Sequence, residues 1–528
     1  MYHNEIWRCF LDLYTVLMIA HVYSITVNGL DSTIVDIEVD INLWLPAFTI
    51  VWLPDQWVQE SKERLRSALK SSHAKLPTTR ITVNLAPANI KKTWPCFDVW
   101  IAVWILLSEW YIIDNTLIKD SIFLWELSLD GTLKHVPSIL PATIWAKEKW
   151  FKRIFIPKSN AREASIIPDI EVIIIENLAE LIQILNQDVS YTAQKQIELS
   201  EIVDHSEFSE RNDFKHVLGQ GFAKRALEIA AAGWHNLLME WPPGSGKTML
   251  AKAYATILPD LTLDEAIEVS KLYSISGLLS NDIPLITRRP YRSVHHTASG
   301  TSIIGGGRNA WPWEISLAHK WVLFLDEILE FPKTVLEVLR QPLEDGMVTV
   351  TRVNASYEYP AKFSLIWAMN PCPCGYLTDS DRECICTPNQ IANYRGRLSW
   401  PLIDRIDMYI EVPKVPTKDF QNKHNTIEES SDTIKARVQN ARDIQRERFQ
   451  GTSLSSNSEM KTSDIKKYCV LREEWEWILQ QAVQTMNLSA RAYYRILKLS
   501  RTIADLENVD TIQTAHILEA LSYRKKEE

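Results

Sequence analysis

Residues 239–250 read MEWPPGSGKTML, and the nature of the central domain turns on them. Within this stretch, residues 241–248 follow the phosphate-binding pattern G-x-x-x-x-G-K-[ST], except that tryptophan fills the first position. Such a loop works because its glycines let successive backbone N–H groups curl around phosphates. Its lysine reaches the β/γ-phosphates, and its hydroxyl residue ligates Mg²⁺. Gly246, Lys247 and Thr248 are all present, preceded by Trp241, Pro242, Pro243, Gly244 and Ser245. HNLLME before the loop predicts a short buried strand and KTMLAKAYATIL after it a helix, the strand-turn-helix setting that an ATP site requires. Trp241 is the one discordant residue: glycine at that corner permits positive φ and close backbone approach, and a bulky side chain does not.

A second motif supports the first. WVLFLDEILEF, residues 321–331, is an apolar run ending in two acids, which predicts carboxylates at the C-terminal edge of a buried strand. There Asp326 can hold Mg²⁺ and Glu327 can orient and deprotonate an attacking water. Alone, the run reads equally well as an ordinary strand with a charged end; with the loop upstream it reads as the second half of an ATP site.

Composition sets the outer bounds. The chain has 528 residues, 46% of them hydrophobic, enough for two to four globular domains. Lys and Arg number 57 against 66 Asp and Glu, a formal charge of −9, so nucleic-acid contact has to come from local basic patches. Seven cysteines, four of them clustered, argue for a reducing, cytoplasmic setting rather than a secreted disulfide framework. No uncharged apolar stretch reaches the roughly 18 residues of a membrane span. The apolar N-terminus carries Asp12 and lacks a small-residue cleavage site, so it is not read as a signal peptide.

Periodicity divides the remainder. Residues 18–185 mix alternating runs such as TIVDIEVDI and RITVNLA with the helical ESKERLRSALKSS, an α/β pattern. A polar stretch at 186–213 reads as a linker. Residues 214–413 alternate strand, loop and helix around the nucleotide motifs, which predicts a parallel sheet covered by helices. Residues 414–528 carry TIKARVQNARDIQRERF, EEWEWILQQAVQTM and RAYYRILKLSRTIADL, all with helical spacing, and predict a small all-α lid.

Together RITVNLAPANIKK, GFAKRALEIAAAG, RRPYRSVHHTAS, EISLAHKWVLFLDE, AMNPCPCGY, YRGRLSWPLIDRID and LSARAYYRIL resemble the YifB/ComM proteins, the magnesium-chelatase-like ATPases of the AAA+ superfamily. The resemblance runs from about Met18 to the C-terminus, so residues 1–17 are expected to be a non-native extension and Met18 the start. It implies an α/β N-terminal domain folded like the Lon proteolytic (ribosomal-protein-like) domain, a AAA+ parallel-sheet core and a helical lid. It further implies an ATP- and Mg²⁺-dependent hexamer that moves branched or single-stranded DNA. Residue by residue, Asn370 matches the polar sensor that positions the lytic water. Arg405 resembles the arginine finger that reaches a neighbouring subunit's site, with Arg397 as competitor. Arg491 resembles the lid arginine that senses the phosphate of its own subunit.

PYRSVHHTASGTSIIGGGRNAWPW, residues 290–313, interrupts the AAA+ alternation and is expected to face the ring pore. Arg288, Arg289, Arg292 and Arg308 can meet phosphates there, and His295 and His296 can stack or donate to a backbone. Packing against a neighbouring subunit is the alternative use of this loop. A hairpin is predicted around NAS at 354–356, with Arg352 near its tip as a further DNA-contact candidate. Cys372, Cys374, Cys384 and Cys386 form C-x-C-x₉-C-x-C; four thiolates on a short loop either close a structural zinc site or tie the loop by packing as reduced thiols.

Trp241 is not isolated. The family pattern has glycine at Trp44, Trp52, Trp104, Trp125, Trp150, Trp234, Trp241, Trp313, Trp321 and Trp400. The 16 glycines alone are about 3% of the chain against a usual ~7%, and glycines and tryptophans together restore about 7%. This substitution pattern is expected of a gene from a bacterial lineage that reads UGA as glycine, translated with a table that reads it as tryptophan. Genuine tryptophans at ten such sites, each overpacked by ~1–3 kcal/mol, would exceed the ~5–15 kcal/mol stability of a typical domain.

Four functions follow from this reading. The favoured one is a DNA branch-migration motor acting in recombination or natural transformation. The others are a chelatase-type subunit remodelling a protein partner, a Lon-like protease, disfavoured because the first domain offers no convincing Ser/Lys dyad, and a nucleotide-binding scaffold without turnover.

Overall fold

The alternation of TIVDIEVDI is realised in the strand Asp31–Asn42, where Val35, Ile37 and Val39 are buried while Glu38 and Asp40 face solvent. In the computed structural model the described residues are 22–28, 30–42, 45–51, 61–86, 97–113, 116–197, 210–243, 246–279, 283–289, 291–298, 300–305, 312–352, 355–379, 382–413, 428–486 and 488–524. Residues 1–17, Met18, Trp44, Trp52, Gly244, Ser245 and Arg308, each singled out in the sequence, lie outside them. No helix among the described residues is long and apolar enough to cross a membrane.

The chain forms two compact units. Met1–Val203 with Ser270–Ile286 make the first, and Asp204–Val269 with Thr287–Glu528 the second. In the first, Asp31–Asn42 pairs antiparallel with both Val22–Asn28 and Arg80–Ala86, and Ala47–Val51 adds a parallel edge. A separate parallel sheet joins Ser121–Phe123, Arg153–Pro157 and Glu171–Ile175. Helix Ser61–Ser71 buries Leu65, Ala68 and Leu69, as ESKERLRSALKSS predicts, and its Arg64 holds the buried Asp98 of helix Phe97–Ser108 at 2.6 Å.

The second unit is built on five parallel strands in the order Tyr291–Val294, Val322–Leu325, Ser364–Met369, Leu237–Glu240, Met408–Glu411. Helices Ser431–Arg448, Glu473–Thr485, Ala490–Leu506 and Thr514–Ser522 realise the helical tail. They share one apolar core with the sheet: Val438, Ala441, Ile496 and Ile503 pack with Leu250, Tyr254 and Ile366. Polar contacts fix the register of that packing, Gln445 donating to the Ala232 carbonyl at 3.0 Å and His235 meeting Thr502 at 2.9 Å. The hairpin Met347–Arg352 and Ala355–Pro360 forms where the sequence predicts it, closed at its tip by the pair Arg352–Ala355.

Three helices end on tryptophan in a conformation that suits glycine. Trp110 (φ 62°), Trp150 (φ 66°) and Trp234 (φ 62°) follow helices Phe97–Ser108, Ile139–Glu148 and Gly221–Gly233. The next N–H folds back onto the last turn each time: Tyr111 to Leu106, Phe151 to Ala146 and His235 to Ala230. This is the left-handed helix stop at which glycine predominates because it has no Cβ to clash with the carbonyl. Trp110 was not among the positions the family pattern singled out; its backbone adds it. Since Trp150 is 89% exposed, replacing it removes strain and little burial. Trp150→Gly is therefore expected to raise unfolding stability by about 1–2 kcal/mol in a denaturant titration; an unchanged or lower midpoint would mean that the indole contributes more than its backbone costs.

Candidate functional site

Because the five strands are parallel, their C-terminal ends share one edge, and the loops leaving them converge there. The strand order sets Ser364–Met369 between the strand of the phosphate-binding loop and that of the two acids. Asn370, the residue after Met369, accordingly lies between Lys247 and Asp326, and its side-chain oxygen accepts a hydrogen bond from Lys247 Nζ.

The loop is anchored at both ends. Trp241 donates its backbone N–H to the Met369 carbonyl at 3.1 Å, extending the pairing one residue past Leu237–Glu240. At the other end Gly246 has φ 86°, which glycine alone tolerates without strain, and its carbonyl begins helix Lys247–Thr256 by accepting from Met249 and Leu250. Pro242 is buried, while Pro243 and Thr248 are exposed. Trp241 is fully buried and is not among the residues with positive φ, so the strain expected at that corner takes another form. Its indole Nε1 has no hydrogen-bond partner among the described residues, an omission worth about 1–3 kcal/mol in a buried position.

Electrostatics tie the acids to the loop. Burial holds the Lys247 ammonium below the usual lysine range, and the nearby charges of Asp326 and Glu327 act in the opposite sense. Asp326 accepts the Glu327 backbone N–H at 2.9 Å, and Glu327 itself is left-handed at φ 51°. A pairing the sequence did not suggest completes the cluster: His296 Nδ1 lies 3.2 Å from a Glu327 carboxylate oxygen, with its ring 4.1 Å from that of His295.

The other expected contact residues are distributed as follows. His295 is exposed and bonded to Thr297 at 2.9 Å, and Arg292 lies 3.6 Å from Glu314 and over the Trp321 ring. Arg289 is corrected from the set of phosphate contacts: it is buried, donating to the carbonyls of Pro259 and Lys320 and to Glu265. Arg405 is held by the Pro401 carbonyl and Glu344, and Arg491 by Asp404 at 2.7 Å. The two arginines line a single cleft of about 690 Å³ with Lys362, Arg495 and Lys498. Arg397 turns instead to Leu329 and Glu330 beside the acidic strand.

One further feature went unread in the sequence, and the cysteine cluster that was read there is drawn together. Glu240, buried at the end of the loop's strand, is clasped by Arg395 at 2.9 Å and by the Tyr409 hydroxyl. The four cysteine sulfurs all lie within 4.8 Å of one another, with Cys372 3.3 Å from Cys374 and 3.6 Å from Cys384. The Tyr376 backbone N–H holds the Cys374 thiol down to about 6, within reach of the thiolate at neutral pH.

Comparison with known proteins agrees with this architecture. Residues 213–420 match the family described as magnesium chelatase, subunit ChlI; residues 37–160 match subunit ChlI of Mg-chelatase, and residues 428–524 its C-terminal family. The chain is 41% identical over 515 residues to the competence protein ComM of Haemophilus influenzae, covering 96% of this chain and 98% of that one. It is 37% identical over 496 residues to the uncharacterized protein YifB of Escherichia coli, covering 94% and 95%. A more distant likeness, 25% over 218 residues and 40% of this chain, links it to 28% of the magnesium-chelatase 67 kDa subunit of Chlorobaculum parvum. With the parallel sheet, the phosphate-binding loop and the helical tail in one unit, the chain belongs to the YifB/ComM family of magnesium-chelatase-like AAA+ ATPases.

Proposed function

We propose that this chain is an ATP-hydrolysing DNA motor, a cytoplasmic branch-migration helicase that works as a homo-oligomeric ring, most simply a hexamer, in recombination or natural transformation. One observation carries the hydrolytic part: Lys247, Asn370, Asp326 and Glu327 meet at one edge of a parallel sheet. The DNA part is supported by full-length likeness to a competence protein.

In this reading the amides of residues 241–248 wrap the phosphates, and Lys247 reaches the β/γ-phosphates. Thr248, which is exposed, and Asp326 would offer oxygen ligands to Mg²⁺, which when bound would neutralise charge between the phosphates. Glu327 orients the attacking water and takes its proton, and Asn370 positions the same water. Arg405 answers the charge on the transferred phosphoryl group from the adjacent subunit. Arg491, tethered next to Arg405, then serves that same neighbouring phosphate and not the one in its own subunit. His296 engages the Glu327 carboxylate until DNA draws on the segment that carries the histidine.

Glycine at position 241 is part of the proposal. Three tryptophans in left-handed helix stops and a fully buried indole at the first position of the phosphate-binding loop support UGA read as glycine. A UGG codon at 241 would remove that idea and favour a nucleotide-binding scaffold without turnover. Partner remodelling, the second reading, draws on the likeness to a chelatase subunit.

Purified protein is expected to hydrolyse ATP faster with branched or single-stranded DNA, and Lys247→Ala to lower turnover roughly 10²-fold or more. ATPase that ignores DNA but responds to a protein partner would favour chelatase-type action. Mixing inactive Arg405→Ala and Lys247→Ala subunits is expected to restore part of the turnover; none would place Arg405 outside the neighbouring site. His296→Ala is expected to raise DNA-independent ATPase by up to about fivefold, the scale of a half-exposed ion pair, and to shrink the DNA stimulation ratio. A fall in both rates at constant ratio would make His296 merely structural.

A further inference from the structure

The cysteine loop sits against the phosphate-binding loop. It leaves the sensor strand directly at Asn370, whose side chain bonds Lys247. The next residue's carbonyl, on Pro371, accepts from Arg395 at 3.3 Å, and the same guanidinium reaches Glu240 at the base of the phosphate-binding loop. Gly375, at φ 82°, lies flat on that loop: a Cβ there would come within 2.5 Å of Pro243 Cγ. Little apolar packing holds the cysteine segment in place, since Ile385 is 85% and Leu377 38% exposed.

Beyond hydrogen bonds such as Gly375 N–H to the Cys372 carbonyl and Arg382 to the Tyr376 hydroxyl, a cross-link would fix it further, and the sulfurs are arranged for one. The pairs Cys372–Cys374, Cys372–Cys384 and Cys374–Cys384 are 3.3, 3.6 and 3.6 Å apart. These separations are far beyond the ~2.05 Å of a disulfide. They approach the S···S edge of about 3.8 Å that four sulfurs describe around a tetrahedral zinc at ~2.3 Å. Four soft thiolates with no oxygen or open position select a closed, structural zinc site.

We propose that Cys372, Cys374, Cys384 and Cys386 bind one zinc ion, and that the loop it closes is a strut which holds the phosphate-binding loop through Gly375 and Pro243, so that zinc occupancy sets nucleotide affinity. The zinc site stands on the sulfur geometry; its effect on affinity rests on the nucleotide-site reading above.

The test combines metal analysis of the full chain with titration of a fluorescent ATP analogue and Mg²⁺, before and after a thiol-competing zinc chelator and again after zinc is returned. About one zinc per chain is expected, with chelation weakening the analogue at least about tenfold and zinc restoring it. Cys384→Ser is expected to lose both zinc and affinity. Gly375→Ala separates strut from metal and is informative even if the cysteine variant misfolds: it is expected to keep zinc yet weaken the analogue. Far less than one zinc per chain would overturn the site. Zinc present with nucleotide bound equally well in both states and in Gly375→Ala would overturn the strut alone. Zinc present with no nucleotide bound in any state would overturn the nucleotide reading and the coupling together.

Discussion

The hydrogen bond from Lys247 to Asn370 is the contact on which the candidate site depends. It joins residues 123 apart in sequence, and it can form only because Leu237–Glu240 and Ser364–Met369 are adjacent parallel strands that end at the same level. Were those strands antiparallel, Asn370 would leave from the opposite edge and the lysine would face nothing. Val322–Leu325, on the far side of Ser364–Met369, delivers Asp326 and Glu327 to the same edge by the same rule. Strand direction is thus the constraint from which the chemistry follows, and the shared apolar core with the C-terminal helices holds it in place.

How far this was legible in the sequence depends on the range of each interaction. Local patterns were readable: alternation gave Asp31–Asn42, helical spacing gave Ala490–Leu506, and the G-K-T and D-E motifs named Lys247, Thr248, Asp326 and Glu327. What joins distant segments was not. Glu240 and Arg395 are 155 residues apart, and nothing in LLME or YRGR signals that they meet. The His296–Glu327 pair depends on Tyr291–Val294 lying beside Val322–Leu325, a neighbour relation that only strand order supplies. Arg289 misled for a related reason: a double arginine reads as a surface charge, yet one of the two is buried against Glu265 and two carbonyls.

The tryptophans show the two kinds of information meeting. Composition and family pattern pointed at glycine positions; the backbone independently put Trp110, Trp150 and Trp234 in left-handed helix stops. At Trp241 the expected φ did not appear; the indole is buried instead, its N–H without a partner among the described residues. A side chain too large for its site can be absorbed by packing or by backbone strain, and this chain uses both.

Glu240 gives the sheet edge a mechanical property of its own. Arg395, which closes helix Pro388–Arg395, and Tyr409, in strand Met408–Glu411, bracket the segment that carries Arg405, and both clasp the one carboxylate. The arginine-bearing stretch is in effect slung between two hooks on a single peg. Any tilt of that peg, seated directly beneath the phosphate-binding loop, would move both suspension points together and carry the stretch with Arg405 along with them.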